Sequence, residues 1–407
     1  MDCDKYNIAV IGLGYVGLPL LCLLSKKHPC VGVEINEIRI KEILNGIDSN
    51  QTVPQKFLGN LKITNKIDDV SSCNFIIVAV PTPVDKDDKP DLSPIERVCS
   101  EIGTILKPQD IIIFESTIFP GATEEICVPL LEKVSGYKNN KDFFVGYSPE
   151  RVNIGDKVHT TNTIPKIIAS SNKESLNRIV DLYKSIIDAP IIKASSIKVA
   201  EAAKIYENVQ RDVLISLANQ FSEYCRLENI DIQEVTKCAS TKWNFSTVIP
   251  GLVGGHCIGV DPYYLIKRAK DKDFDFSLVK MARTINEEKC RIVENRIMEI
   301  LENVNFESPR LLILGFSYKP NTPDFRNSKV ATIINGLTKK HIHVDCYDPL
   351  TKAEEVKKEY GIELLSDLDN KKYNLVILAV QHEALTHVSI EEHLLEDGKF
   401  YKLEDLL

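Results

Sequence analysis

Near its start the chain reads IAVIGLGYVGLPLLCLL, residues 8–24. The apolar run at 8–11 predicts a short buried strand, and the run at 18–24 predicts a helix. The turn between them is formed by Gly12, Leu13, Gly14, Tyr15, Val16 and Gly17. Its G-x-G-x-x-G spacing permits a tight turn and lets a pyrophosphate approach backbone N–H groups at the helix start.

An acidic residue ends the next predicted strand, which covers Cys30–Glu34. Glu34 is placed to accept hydrogen bonds from ribose hydroxyls and would repel a 2′-phosphate, so it favours NAD over NADP. The alternative is a glycine turn in an α/β protein that binds no ligand. The strand, the turn and the acid together favour the dinucleotide site.

Further short apolar runs are rich in Ile and Val, as in strands buried on both faces of a parallel sheet. They are Phe75–Val80, Ile111–Glu115 and Phe143–Tyr147, and later Leu311–Leu314, His343–Tyr347 and Leu375–Val380. LVILAV at 375–380 resembles FIIVAV at 75–80. The last third of the chain therefore partly repeats the first.

The pattern changes in the middle of the chain. Ile197–Leu227 contains no Gly or Pro and predicts one long helix, and Leu278–Glu302 predicts another. Apolar residues recur at three- and four-residue steps along the first of these helices: Val199, Ala203, Tyr206, Val209, Val213, Leu217 and Phe221. We expect this apolar face to form the core of a homodimer.

These patterns predict an α/β protein with two Rossmann-like doubly wound domains joined by a long-helix central domain. The expected ranges are 1–194 for an NAD-binding domain, 195–302 for the helical dimerisation domain and 303–407 for a second nucleotide-binding domain. A chain of 407 residues is long enough to need more than one hydrophobic core.

Composition excludes several classes of protein. The chain is 43% hydrophobic and 27% charged, which is not the composition of a disordered or coiled-coil chain. Its formal net charge of -8 disfavours a nucleic-acid partner. The uncharged run from Asn7 to Ser25 is interrupted by glycines and Pro19, so we expect no membrane span.

Cysteine usage points to a reducing compartment. The chain has 11 cysteines, an odd number, without the close pairs of a zinc site, so neither a disulfide framework nor a metal is expected. The first residues lack the basic region of a secretory signal. A cytoplasmic protein is the expectation.

One cysteine stands in an unusual context, GGHCIGVDP at 254–262. The glycines allow a substrate to approach Cys257, and Asp261 could orient a water or polar group near the thiol. On the long helix, Lys204 and Asn208 are four residues apart and share a face. By chemistry alone, however, most lone cysteines are packing residues.

Seven stretches resemble the UDP-glucose/GDP-mannose dehydrogenase family. They are GLGYVGLPL (12–20), PTP (81–83), ESTIFPGATEE (115–125), YSPERVNIGD (147–156), EAAKIYENVQRD (201–212), GLVGGHCIGVDPYYL (251–265) and GFSYKPNTPDFRNS (315–328). The resemblance runs from the first strand nearly to the C-terminus, and the order and spread of the stretches argue against chance agreement.

The resemblance implies an NAD-dependent four-electron oxidation of a sugar C6 alcohol to a carboxylate. It makes Cys257 the nucleophile of a thiohemiacetal and a thioester, with Lys204, Asn208 and a water held by Asp261 stabilising oxyanions. Glu150 would be the general base of hydrolysis and Thr117 would position the water. The competing interpretations are a helix-start acid at Glu150, a solvated Lys204 and a turn residue at Thr117.

The resemblance also implies the binding residues, with no metal among the ligands. The cofactor set is Gly12, Gly14, Tyr15, Val16, Gly17, Glu34, Arg39, Pro81, Thr82, Thr117 and Arg326. The substrate set is Glu150, Arg151, Asn153, Lys204, Asn208, Gly254 and Lys319. For Lys319 and Arg326 the alternative is a surface salt bridge or a solvated turn.

Within the family, HCIGVDPYYL and STIFPGATEE most resemble enzymes of UDP-N-acetylglucosamine or UDP-N-acetylgalactosamine, which supply uronic acids for capsule and O-antigen synthesis. Three positions depart from relatives: Ile154 replaces a usual Pro, Ile249 replaces an Arg or Lys common in the N-acetylhexosamine group, and His256 replaces the Ser of UDP-glucose enzymes. The second departure weakens the exact substrate assignment, and the third argues against glucose.

Four alternatives stay open from the sequence. Two are other substrates, UDP-N-acetylmannosamine and UDP-glucose. The third is a two-electron alcohol or hydroxyacid dehydrogenase, and the fourth is a non-catalytic NAD-sensing protein.

Overall fold

The computed structural model describes residues 6–85, 87–153, 156, 158–302, 309–368 and 371–407. The chain divides into two compact units. The first comprises residues 1–207 and 263–273, and the second comprises 208–262 and 274–407.

An eight-stranded sheet forms the centre of the first unit. Its strands are β1 Ile8–Ile11, β2 Cys30–Val33, β3 Ile63–Thr64, β4 Phe75–Val78, β5 Ile111–Phe114, β6 Phe144–Tyr147, β7 Lys166–Ser170 and β8 Ile191–Lys193. The order is β3-β2-β1-β4-β5-β6-β7-β8, and only β6 and β7 pair in antiparallel orientation. This is a doubly wound order whose topological switch lies between β1 and β4.

Five helices cover the faces of this sheet: α1 Gly17–Leu24, α2 Glu37–Leu44, α3 Ser93–Ile105, α4 Val128–Ser135 and α5 Lys173–Ile186. A π-helical turn, Thr123–Cys127, precedes α4, and 3-10 turns cover Gln55–Phe57 and Ile67–Val70. Strands β1, β4 and β5 are buried throughout because helices lie on both sides of them. The uncharged run near the N-terminus is thus β1, a turn and the short helix α1.

Four helices make up the middle of the chain: α6 Ile197–Leu227, α7 Ile232–Ala239, α8 Asp261–Lys270 and α9 Ser277–Glu302. Helices α6 and α8 each have residues in both units. Among the described residues, no helix combines the length and the apolar character needed to cross a bilayer.

The second unit contains a four-stranded sheet with its own helices. In chain order the elements are β9 Arg310–Leu314, α10 Lys329–Lys339, β10 His343–Tyr347, α11 Ala353–Tyr360, β11 Tyr373–Leu378 and β12 Leu394–Lys402, with 3-10 turns at Glu383–Leu385, Ile390–His393 and Leu403–Leu406. The strand order is β10-β9-β11-β12, all parallel. Helix α9 contributes Val293 and Ile297 to the core of this sheet. The predicted fold class is confirmed.

Helix α6 buries its polar side. The buried polar residues recur at helical spacing: Glu201, Lys204, Asn208, Asp212, Ser216, Asn219 and Ser222. Several apolar residues are exposed instead, and we call them the α6 stripe: Val199, Tyr206, Leu217, Phe221 and Tyr224. Tyr206 is 70% exposed and Leu217 is 61% exposed.

Polar contacts between α6 and α9 explain this burial within the second unit. Arg283 Nη1 lies 2.6 Å from Asp212 Oδ1, and Asn286 Nδ2 donates to the same oxygen at 2.7 Å. Asn219 Nδ2 donates to Asn286 Oδ1 at 2.9 Å. Buried polar groups that find such partners avoid the cost of desolvation without a hydrogen bond.

Candidate active site

The chain turns sharply from β1 into α1 through residues 12–17. Glycine is required at position 17, because a Cβ there would lie 1.8 Å from the carbonyl oxygen of Gly12. Helix α1 starts after Val16 without a side-chain hydrogen bond at its cap. The start of α1 follows β1 at the switch point of the sheet, and a helix start in that place is a binding site for anions.

Glu34 closes the other side of this turn. Its Oε2 accepts a hydrogen bond from the N–H of Leu13 at 2.9 Å, and its Oε1 accepts one from Asn36 at 3.0 Å. Each carboxylate oxygen has a second lone pair for a ribose hydroxyl. The glycine turn and Glu34 thus fit the pyrophosphate and ribose of a dinucleotide.

Arg39 is held by protein acceptors. Its Nε donates to the carbonyl of Leu13 at 3.1 Å, and its Nη2 lies 2.6 Å from Asp48 Oδ1. The guanidinium is buried and clamps the glycine turn. In this structure Arg39 supports the shape of the turn.

The next two strands bring further predicted cofactor residues to the same edge. Pro81 and Thr82 follow β4, and Thr117 follows the neighbouring β5. Thr82 Oγ1 donates to the carbonyl of Thr117 at 2.7 Å. The cofactor residues of the first unit therefore follow β1, β2, β4 and β5 at their carboxyl ends, where doubly wound folds bind ligands.

Glu150 follows β6 and is oriented by backbone donors. Its Oε1 accepts hydrogen bonds from the N–H groups of Arg151 at 2.7 Å and Val152 at 2.8 Å. Its Oε2 lies 3.5 Å from the ammonium of Lys166. Burial acts to raise the pKa of Glu150, but Lys166, the two N–H groups and Lys204 together hold the pKa below its ordinary value.

Lys166 belongs to a buried ionic cluster that the sequence analysis did not identify. Its ammonium lies 2.9 Å from Glu115 Oε2, and the hydroxyl of Tyr183 donates to Glu115 Oε1. The sequence feature that could have indicated this cluster is a lysine at the start of the apolar run KIIAS, residues 166–170. A cation placed in a buried strand needs an acidic partner.

The remaining predicted residues of the first unit differ in their surroundings. Lys204 is buried on α6, and its ammonium forms no ion pair among the described residues. Arg151 lies 2.7 Å from Glu207 and also donates to the carbonyl of Pro165. Asn153 is exposed, and Ile154 lies outside the described residues.

In the second unit, the structure joins Asn208 to the cysteine loop. The side-chain amide of Asn208 donates a hydrogen bond to Asp261 Oδ2. The N–H of Asp261 in turn donates to the carbonyl of Cys257 at 2.9 Å, at the start of α8. Cys257 is half-buried, whereas most other described cysteines are buried. Burial raises the pKa of one of these, Cys290, to about 12.

The cysteine loop packs against residues 315–328 of the same unit. Gly255 has a φ of +77°, and a Cβ there would lie 2.9 Å from the ring of Tyr318. A Cβ at Gly254 would lie 2.8 Å from the carbonyl oxygen of Asn327. Both glycines therefore allow close packing of the loop against residues 315–328. This packing role is additional to the predicted one, in which the glycines let a substrate approach Cys257.

Two cations predicted to bind ligands lie in residues 315–328. Arg326 is paired with Asp324 at 2.7 Å and lies 3.0 Å from Nδ1 of His256. Lys319 is half-buried, and its carbonyl accepts a hydrogen bond from the hydroxyl of Ser317 at 2.8 Å. The described residues contain no group of three or more His, Cys, Asp or Glu that could hold a metal ion.

A glycine turn and an acid at the switch point of a doubly wound sheet form a nicotinamide dinucleotide site, so the first unit is that of an NAD-dependent dehydrogenase. Residues 6–187 match the NAD binding domain of the UDP-glucose/GDP-mannose dehydrogenase family. Residues 198–288 match its central domain, and residues 312–400 match its UDP binding domain. The chain belongs to this family and is an NAD-dependent UDP-sugar dehydrogenase.

Named relatives are similar over nearly the whole chain. Protein CapL of Staphylococcus aureus is 45% identical over 381 residues, which are 93% of this chain and 90% of CapL. The UDP-N-acetyl-D-glucosamine 6-dehydrogenase of Pseudomonas aeruginosa is 43% identical over 412 residues, 98% of each chain. The solved UDP-D-ManNAc dehydrogenase from Pyrococcus horikoshii has a TM-score of 0.86 at 29% identity and covers 98% of this chain and 99% of its own.

Proposed function

We propose that the protein oxidises UDP-N-acetylglucosamine or UDP-N-acetylgalactosamine at C6 to the uronic acid. Relatives named UDP-N-acetyl-D-glucosamine 6-dehydrogenase are 43% and 42% identical to it, whereas the UDP-N-acetyl-D-mannosamine dehydrogenases compared reach 33%. The observation that carries the chemistry is the half-buried Cys257, on the loop whose Asp261 is hydrogen-bonded to Asn208.

The two oxidations require charge stabilisation at C6. NAD bound at the glycine turn and Glu34 would accept one hydride in each oxidation, so two NAD and one water would be consumed per sugar. Lys204 and Asn208 stabilise the alkoxide that forms when the hydroxyl group on C6 gives its proton to water. The thiolate of Cys257 then adds to the aldehyde carbon to form a thiohemiacetal, and the second oxidation leaves a thioester. Covalent capture keeps the aldehyde from leaving between the two steps.

Hydrolysis releases the product. The oxygen of a water, positioned by Thr117, attacks the acyl carbon while its proton passes to Glu150. The carbon–sulfur bond breaks, its electron pair returns to Cys257, and a carboxylate is formed. A base with a lowered pKa is ionised at neutral pH and ready to accept this proton.

We further assign the ranges 1–194, 195–302 and 303–407 to NAD binding, dimerisation and UDP-sugar binding. The three family matches, at 6–187, 198–288 and 312–400, support this division. The other residues of the predicted cofactor and substrate sets would bind NAD or the UDP-sugar from within these three domains. The exposed α6 stripe supports a homodimer. The enzyme would act in the cytoplasm to supply uronic acid for capsule or O-antigen synthesis.

A substrate screen tests this function. NADH and sugar acid are measured with UDP-N-acetylglucosamine, UDP-N-acetylgalactosamine, UDP-N-acetylmannosamine and UDP-glucose, each at limiting concentration. We expect two NADH per sugar and the highest kcat/KM with one of the first two. One NADH per sugar would show a two-electron dehydrogenase, no NADH would favour an NAD sensor, and a preference for either of the last two would overturn the substrate assignment.

A further inference from the structure

A cation is buried in the sheet of the first unit, on the strand that runs against its neighbour. Lys166 is the first residue of β7, and only 3% of its surface is exposed. Residues 167–169 that follow it are apolar. Burying the charge of a lysine in such surroundings costs free energy unless acidic groups face it. The acidic partners of Lys166 are therefore needed to keep its ammonium in this place.

Two carboxylates face Lys166, and they are held differently. Glu115 is fully enclosed, with Oε2 at 2.9 Å from the ammonium and Oε1 accepting from the hydroxyl of Tyr183 on α5. Glu150 is 13% exposed at its side chain, with Oε1 bound to backbone N–H groups and Oε2 at 3.5 Å from Lys166. Glu115 thus anchors the ammonium, which faces Glu150 at a longer distance.

The longer distance matters for a base. At 3.5 Å the contact is electrostatic attraction with little hydrogen-bond character, so Oε2 of Glu150 keeps lone pairs for another donor. Its Oε1 is already saturated by two backbone donors. Of the two carboxylates, therefore, Glu150 has an oriented and partly exposed oxygen that can accept a proton from water, whereas the side chain of Glu115 is fully enclosed.

We propose that Lys166 is a positioning residue that holds Glu150 as an oriented carboxylate for hydrolysis of the Cys257 thioester. This proposal rests on the proposed function. Lys166 exchanges no proton: water gives its proton to Glu150, its oxygen joins the acyl carbon, and the thiolate leaves with the carbon–sulfur electron pair.

The charges around Glu150 agree with this role. Lys166 faces it from β7, Lys204 acts on it from α6, and Glu115, which follows β5, is the opposing negative charge. Burial raises the pKa of Glu115, although Lys166 acts against that rise. Burial alone would lower the pKa of Lys166, but the two carboxylates raise it, so the ammonium stays charged. The charge of Lys166 therefore favours the ionised form of Glu150, which is the more exposed of the two acids.

The test compares variants at Lys166 in the full-length enzyme. Lys166→Met removes the charge at similar length, and Lys166→Arg keeps the charge. For each, we would measure the NADH burst, the Cys257 acyl adduct by mass spectrometry after a rapid quench, and kcat against pH. For Lys166→Met we expect a preserved burst, accumulation of the adduct, a fall of kcat of about 100-fold and a shift of the acid limb to higher pH. Lys166→Arg should recover part of kcat and the position of the limb.

Glu115→Gln is the matched control, because it removes the competing negative charge and keeps an acceptor for the ammonium. Its acid limb should stay in place or move to lower pH. Damage to the fold alone would affect both variants in the same direction, and thermal unfolding measures that damage separately. An unmoved acid limb in Lys166→Met, or a change confined to KM, would overturn the proposal while leaving the proposed function intact. A wild-type enzyme that makes no NADH from any UDP-sugar would instead overturn the function itself.

Discussion

Asn208 on α6 donates its side-chain amide to the carboxylate of Asp261, the first residue of α8. Both residues are buried, at 7% and 2% exposure. Because Asp261 also donates its N–H to the carbonyl of Cys257, this one side-chain contact fixes the end of the cysteine loop to the long helix. The pair thus links a predicted oxyanion residue to the predicted nucleophile's own loop.

Asn208→Asp should damage this link, because it places two carboxylates in contact. We expect kcat/KM to fall about 100-fold and stability to fall by about 2 kcal/mol at pH 8. Burial and Asp261 would raise the pKa of the new acid in the folded state, so the destabilisation should grow as pH rises above about 4. Urea unfolding at pH 5 and pH 8 measures this trend.

The exchange Asn208→Asp with Asp261→Asn provides the control. It restores one amide and one carboxylate, so it should recover most of the lost stability without recovering full activity. If the double variant is as unstable as the sum of the two single variants, the contact has no coupling energy and our account of the pair is wrong.

Cys257→Ser should abolish net oxidation. A serine alcohol is a far weaker nucleophile than a thiolate, so no acyl enzyme should form, and we expect steady NADH production to fall by at least about 1,000-fold. Cys238→Ser is the matched control, since Cys238 is an exposed cysteine outside the proposed machinery and should lose no activity. Equal activity of the two variants would remove Cys257 from the mechanism.

Asp348 in the second unit stabilises the turn after β9. Its carboxylate accepts hydrogen bonds from the N–H groups of Phe316, Ser317, Leu350 and Thr351. His382 Nδ1 accepts from the N–H of Asn321, so its Nε2 carries the proton that faces Asp348 Oδ2 at 3.1 Å. Burial opposes ionisation, but His382 and the backbone donors lower the pKa of Asp348 to about 2.

Asp348→Asn should therefore destabilise the protein by at least about 2 kcal/mol at pH 7. A lowered folded-state pKa stabilises above the unfolded value near 4, and this contribution is lost as pH falls towards 2. In urea unfolding, the gap between wild type and variant should narrow by about half at pH 3. Asp345→Asn, a partly exposed neighbour on β10, should cost less than about 1 kcal/mol. If the difference in unfolding free energy between wild type and Asp348→Asn did not change with pH, the lowered pKa of Asp348 would be wrong.

The α6 stripe predicts the behaviour of the assembly. We expect wild type to sediment as a dimer, because a long exposed apolar stripe on one helix is costly in water. Leu217→Arg should shift it to monomer with little change in the stability of the single chain, since Leu217 is 61% exposed there. Leu395→Arg, at an exposed apolar residue on β12, should leave the dimer intact. A monomeric wild type would exclude this interface.

Local patterns predicted much of the fold. The helix predicted over Ile197–Leu227 has those same bounds, and the strands predicted at Ile8–Ile11 and His343–Tyr347 do too. Side-chain periodicity and the absence of Gly and Pro act within a few residues, so they can be read without knowing the neighbours. The strands β3, β7, β8 and β12 were missed, because they are short or mix charged and apolar residues.

The residues of the candidate site likewise fall into those that local spacing predicts and those that depend on contacts between distant parts of the chain. The glycine turn and Glu34 were readable from spacing, since strand, turn and helix are contiguous. Lys166 was not, because its partners Glu115 and Glu150 are distant in sequence. Arg39 stays a predicted cofactor residue, and the contacts of its guanidinium with Leu13 and Asp48 could not be predicted because they depend on the fold.

By itself, then, the amino-acid sequence determined the main buried strands, the long helix, the dinucleotide turn and the family. Tertiary structure alone decided which side of α6 is buried, which carboxylates face Lys166 and which amide reaches Asp261. The physical reason is that backbone preferences are local, whereas a buried charge or amide is stable only beside a partner that packing brings to it.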